Sequence, residues 1–167
     1  MDIVSHGLWG GIVAGKKNRR TYWTAFLIGI LPDFFSFGIF FLATIFRITP
    51  DIAWHAGPDN LEIVPEYVTH LYNITHSLVV FVVVFLLVFM IRRKPFVPLL
   101  AWGLHIIMDI PTHSSAFFPT PFLWPVSNFR IDGVSWVHPY IFFPNLILLV
   151  SVYLFYFGYW RIRRSRR

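Results

Sequence analysis

The sequence predicts an all-α fold: a polytopic membrane helical bundle of four transmembrane helices with a short, half-inserted helix at its N-terminal end. Composition, the lengths of the apolar runs and the placement of the basic residues lead to that fold. Hydrophobic residues make up 56% of the 167 and aromatics 20%, while charged residues fall to 13%; an average soluble domain carries about 25% charged residues. A chain this short with 19 Phe has too little polar surface to coat a globule in water. That excludes a soluble single domain and a disordered chain alike. The lack of Cys removes disulfides, thiolate metal ligands and cysteine nucleophiles together, so any metal must be held by His, Asp or Glu.

The elements follow in order, all within one integral membrane domain, 1–167. Residues 3–15 make only half a span and carry Gly7, Gly10, Gly11 and Gly15. Their basic cluster, Lys16-Lys17-Asn18-Arg19-Arg20, lies behind them, whereas a cleavable signal has its charge in front. The segment is therefore predicted to be a half-inserted helix packed on the bundle through its glycines. A crossing needs about 20 helical residues for roughly 30 Å of hydrocarbon. Residues 21–47 exceed that, 139–160 meet it, and 70–91 meet it if the helix starts before the purely apolar run at Leu78. The stretch 96–110 is short and suffices only if its polar residues are buried among protein.

With four crossings, the loops 16–20 and 92–95 and the tail 161–167 fall on one face, and 48–69 and 111–138 on the other. All of the 14 basic residues except Arg47 and Arg130 lie on the first face. Asp51, Asp59, Glu62, Glu66 and Asp132 lie on the second. The positive-inside rule puts the basic loops and the C-terminus in the cytoplasm, which implies a prokaryotic inner membrane. The basic clusters read as anchors for anionic lipid headgroups. Despite a net charge of +6, no nucleic-acid partner is expected, because no folded module surrounds the short tail. Trp54, Trp124, Trp136 and Trp160 read as interface anchors.

Ionisable side chains inside a bilayer are expensive and point to function. Asp33 follows Leu31-Pro32, His76 lies just inside the third apolar element, and His105 and Asp109 stand four apart in the fourth. Helix rise places Asp33 about 18 Å above the cytoplasmic start, His105 about 15 Å, and His76 and Asp109 each about 21 Å. Antiparallel segments thus lift Asp, His, His and Asp to one thin slab. The i, i+4 spacing puts His105 and Asp109 on one helix face, and imidazole and carboxylate suit a divalent ion. Pro32 breaks the ladder beside Asp33 and frees that turn to approach one. The residues themselves leave open a metal site or a proton-handling one, and a lone intramembrane His is commonly a hydrogen-bonded packing residue.

His6 and His113 are weighed equally as ligands and as packing residues, because nothing fixes the height of the half-helix and Pro111 is predicted to end the helix before His113. His70 is either an orienting or an interfacial residue, and His55 and His138 read as solvated. Thr75, Ser77 and Thr112 either orient imidazoles or cap helices. The loop 111–138, with Pro111, Pro119, Pro121, Pro125, Phe117, Phe118, Phe122 and Trp124, is predicted to be a rigid apolar segment in the outer interface that roofs the site. Its charges, Arg130 and Asp132, either pair with each other or leave Arg130 for a phosphate headgroup.

The ordered motifs His6-Gly7, Leu31-Pro32-Asp33, Thr75-His76-Ser77, His105-x-x-x-Asp109 and Pro111-Thr112-His113 resemble those of the bacterial and archaeal membrane-bound metal-dependent hydrolases. That family is also described as LexA-binding, inner-membrane-associated hydrolases, and the resemblance runs from His6 to about Trp136. The family is distantly similar to zinc-dependent phospholipase C and P1 nuclease, all-helical enzymes that cleave phosphoesters with clustered zinc ions. The resemblance implies His6, Asp33, His76, His105 and Asp109 as ligands, with His113 a further one, and zinc as the metal. This sequence has Leu71-Tyr72-Asn73 where many members carry His-Arg-Gly, and it lacks a downstream His-x-x-x-Glu pair; one or two ions are therefore expected rather than three.

The function expected is hydrolysis of an ester or phosphoester in a lipid or lipid-linked substrate by metal-activated water, with Asp33 or Asp109 as general base. Two other readings stand beside it. One is a small His/Asp transporter or proton relay; the other is a non-catalytic scaffold whose basic tail recruits a partner.

Overall fold

A computed structural model describes residues 1–48, 64–116 and 118–165, with side chains as far as residue 157. Asp51, Trp54, His55, Asp59, Glu62 and Phe117, and the side chains of Trp160 and the basic tail, lie outside the described residues. Among the described residues every regular element is helical.

Helix α1 (Ile3–Ala14) is capped by Asp2, whose carboxylate accepts the Ser5 N–H, and it stops at Gly15. Helix α2 (Arg19–Asp33) opens with a reciprocal box, Asn18 accepting from the Thr21 N–H and Thr21 Oγ1 from the Asn18 N–H. It runs through a π-helical turn (Phe34–Gly38) into α3 (Ile39–Ile45), making one span of 27 residues, Arg19–Ile45. The turn begins just after Pro32, which offers no N–H to the ladder; the Ser36 hydroxyl donates to the Pro32 carbonyl at 2.8 Å.

The expected helix over 70–91 is broken. Helix α4 (Glu66–Thr75) and α5 (Leu78–Arg92) are bent by 57° at His76-Ser77. The break persists because distant groups satisfy its backbone, which hydrocarbon cannot do. Trp102 Nε1–H donates to the Thr75 carbonyl at 2.6 Å, and the Leu78 N–H goes to the Phe122 carbonyl at 2.9 Å. Ser77 caps α5 at the Val80 N–H and donates its hydroxyl to the Trp124 carbonyl. The segment expected to lie as a roof in the outer interface is thus partly inserted: Phe118, Thr120 and Pro121 are buried, and the carbonyls of Phe122 and Trp124 wedge into the break.

A 3-10 turn (Val97–Leu99) leads into α6 (Leu100–Thr112). Pro111 does not end this helix as expected; it sits in the last turn, where few carbonyls still need a helical donor. The carbonyls of Pro111, Thr112 and His113 instead accept from the backbone N–H groups of Val134, Trp136 and Gly133 at 2.9, 3.0 and 2.9 Å. Only a glycine fits at 133, since a Cβ there would collide with the Pro111 carbonyl. Helix α7 (Pro139–Ser165) closes the chain.

Among the described residues two helices, Arg19–Ile45 and Pro139–Phe157, are long and apolar enough to cross a membrane, and the bent α4–α5 pair makes a third if taken as one span. Val97–Thr112 is apolar but too short for the predicted fourth crossing, and Ile3–Ala14 is likewise a short apolar helix. Both short helices are inner elements of the bundle. Gly7, Gly10 and Gly11 bring α1 against α2, and Gly10 also meets Ala101 of α6, as small residues permit. Polar contacts tie α7 to α1: Trp9 Nε1–H donates to Asn145 Oδ1 and Asn145 Nδ2 to Ser5 Oγ, both at 2.9 Å.

Candidate metal centre

Three parts of the chain deliver one cluster. Asp33 ends α2, His76 sits in the α4–α5 break, and His105 and Asp109 point from one face of α6; one ligand atom from each lies within 4.8 Å of the others. The His76, His105 and Asp109 side chains are wholly buried, while that of Asp33 keeps 15% exposure. The break matters here: as the residue capping α4, His76 leaves the helical path at the level of the other three.

Both imidazoles are oriented from behind. His105 Nδ1 lies 2.7 Å from the Gly29 carbonyl. His76 Nδ1 lies 3.2 Å from the Tyr72 carbonyl and 3.0 Å from Thr75 Oγ1. A carbonyl only accepts, so each Nδ1 carries the hydrogen and each neutral ring presents an Nε2 lone pair to the centre. Those two Nε2 atoms are 3.0 Å apart. Asp109 Oδ2 stands 3.1 Å from His105 Nε2 and 3.5 Å from His76 Nε2, and Asp33 Oδ1 stands 3.7 and 3.3 Å from the same atoms. With both rings neutral, the centre gathers acceptors, and Asp109 Oδ2 has no hydrogen-bond partner. Zinc bonds of about 2.0–2.1 Å in a tetrahedron imply ligand-to-ligand edges of roughly 3.3 Å. The five distances just given, 3.0–3.7 Å, bracket that value.

Asp109 faces a second group through Oδ1. His6 Nε2 lies 2.9 Å from it and His113 Nδ1 3.4 Å, and the Met1 nitrogen also contacts it. The His6–Asp109 approach lacks hydrogen-bond alignment, so both ring nitrogens of this buried histidine are unpartnered. Its ring stacks on His105 at 3.6 Å. The two histidines that the sequence left open thus converge on one carboxylate.

The remaining polar positions lie elsewhere. His70 pairs with Glu66 at 3.2 Å on the exposed face of α4, and His138 accepts from the Tyr140 N–H. Thr112 donates its hydroxyl to the Met108 carbonyl. Arg130 and Asp132 do not pair: Asp132 accepts the Ser115 N–H at 2.7 Å, which holds its exposed carboxyl below the ordinary range, and Arg130 donates to Asn73 Oδ1 at 3.4 Å. The sequence reading missed Tyr72, which stacks on His76 at 3.9 Å and donates its hydroxyl to the Phe118 carbonyl at 2.8 Å. Its place one helical turn before His76 was the available signal. It also missed Gly29, where a Cβ would come within 2.7 Å of the His6 carbonyl.

Compared with known proteins, the chain matches over residues 1–166 the family described as YdjM inner membrane protein. No curated protein and no solved structure matches it.

Proposed function

Given that the chain belongs to the YdjM inner membrane protein family, we propose that it is a membrane-embedded, metal-dependent hydrolase of an ester or phosphoester in a lipid or lipid-linked substrate. The observation that carries this reading is the buried convergence of Asp33, His76, His105 and Asp109, with Asp109 Oδ2 lacking a hydrogen-bond partner. Buried lone pairs crowded at such distances repel one another unless a cation or a shared proton lies between them, and the near-tetrahedral spacing favours the cation. These residues would hold one zinc ion, and His6 and His113 together with Asp109 would hold a second. Zinc bound there supplies Lewis acidity toward the ester or phosphoester oxygen and acidifies water.

The protein groups do the rest. The Gly29 and Tyr72 carbonyls keep the imidazoles in the ligating tautomer. Asp33 is the one of the four that keeps exposure, so in this reading it would yield its position to water and accept the proton from it, with His76, His105 and Asp109 remaining as the three protein ligands. The exposed rings of Phe34 and Phe35 follow Asp33 directly, which favours a substrate approaching through an apolar surface.

In this reading the chain crosses the membrane with Arg19–Ile45, the bent α4–α5 pair, the short 97–112 segment and α7, and its basic ends face the cytoplasm. Elemental analysis of detergent-purified full chain, wild type beside His105→Ala, tests the proposal, followed by hydrolysis assays on phospholipids. Stoichiometric zinc in the wild type, reduced in the variant, supports it. Wild-type protein with only trace divalent metal, or an Asp109→Ala variant with unchanged hydrolysis, sinks it.

A further inference from the structure

We infer that Arg130, held by Asn73, is the group that binds the phosphate of an anionic substrate at the mouth of this centre. The inference rests on the hydrolase reading and names its substrate class: phosphoesters rather than neutral esters.

Arg130 is an exception to the charge plan of the chain, which keeps its three basic clusters at the other end. Its neighbour in sequence, Asp132, is diverted to the Ser115 N–H at 2.7 Å, and among the described residues no carboxylate pairs with the guanidinium. The Asn73 Oδ1 contact at 3.4 Å occupies one N–H; a guanidinium has five donors in a planar fork that matches phosphate oxygens.

The position is set by two site elements. Asn73 lies in the last turn of α4, three residues before His76 and about 4.5 Å along the axis from it. On the other side, the strap through Gly133, Val134 and Trp136 is hydrogen-bonded to the α6 end that carries His113. Arg130 is thereby linked to the α4 turn that precedes His76, and the strap that begins three residues beyond it is fixed to the α6 end. Phe129 and Ile131, which flank it, are 60% and 41% exposed. A cation framed by exposed apolar side chains suits a phosphate borne on an acyl chain at the headgroup level. A soluble phosphate ester offers the guanidinium the same chemistry.

The test is inorganic phosphate binding to zinc-loaded full chain in phosphatidylcholine nanodiscs, measured by equilibrium dialysis for wild type, Arg130→Gln and Arg130→Lys. Zinc content is determined for each. Arg130→Gln should keep its zinc and bind phosphate at least about tenfold more weakly, the scale of one charge-assisted hydrogen bond. Arg130→Lys should recover part of that loss. Competition then separates the sources: displacement by phosphatidic acid placed in the disc assigns a lipid phosphate, and displacement by glycerol phosphate in solution assigns a soluble one. Equal phosphate affinity in wild type and Arg130→Gln, or zinc-loaded wild type that binds no phosphate, overturns the inference while the metal centre stands. Wild type that holds no zinc removes the hydrolase reading and this inference with it.

Discussion

The Nε2 atoms of His76 and His105 face each other at 3.0 Å, while the Nδ1 of each ring is turned to a backbone carbonyl, so two neutral rings present two lone pairs to one point. This pair sits where a helix break meets the face of α6, and it accounts for the surroundings: two carbonyls behind the rings, two carboxylates beside them.

Chelation should loosen the fold. A ligand that binds only the native state at 100 times its dissociation constant adds about 2.7 kcal/mol, so stripping metal from the purified protein should lower the thermal midpoint by several degrees. Added zinc should restore it. Differential scanning fluorimetry with a chelator and then with zinc checks this; an unmoved midpoint would count against a bound ion.

Gly29→Ala should be among the worst single-methyl additions in the chain. The new Cβ would stand 2.7 Å from the His6 carbonyl, a backbone atom that cannot swing aside. Overpacking of this kind costs about 1–3 kcal/mol, and here it also shifts the carbonyl that orients His105. At Gly38 the nearest atoms belong to the Phe34 side chain, which can move. Thermal stability and zinc content of the two alanine variants, measured side by side, should separate clearly, with Gly29→Ala lower in both.

Trp102→Phe should weaken the break between α4 and α5. It removes the N–H that satisfies the Thr75 carbonyl at 2.6 Å, and an unpaired buried carbonyl costs about 1–3 kcal/mol. Because His76 hangs on that break, zinc affinity should fall along with stability. Equal zinc affinity in wild type and Trp102→Phe would mean that the break holds His76 without this bond.

The histidines should sort by their distance from Asp109. His70→Ala and His138→Ala should keep the wild-type metal content, since both rings lie on exposed surface away from the centre. His6→Ala and His113→Ala should lose no more than the second ion, while Asp109→Asn should impair both positions. Metal-to-protein ratios across this series check the assignment.

Much of the centre was legible because helix rise and i, i+4 spacing are local rules: they put Asp33, His76, His105 and Asp109 at one depth, and the structure brings the same four together. The glycines of α1 likewise announced close packing. What local rules could not supply was the break at His76-Ser77. Its partners, Trp102, Phe122 and Trp124, stand 27 to 47 residues away, and Leu78 onward reads as uninterrupted helix. The same non-local bonds draw the 118–124 segment inward, although its prolines and aromatics suit an interface equally well. His6 and His113 stayed undecided because the height of α1 is set by its glycine contacts with α2, and the direction of His113 by the strap from 133–136.

X-ray absorption at the zinc edge of the purified full chain tests the central claim most directly. The geometry predicts nitrogen and oxygen neighbours at about 2.0–2.1 Å with the outer scattering of imidazole rings, diminished in His105→Ala. Zinc absent above trace level, or a coordination shell without imidazole, would contradict it.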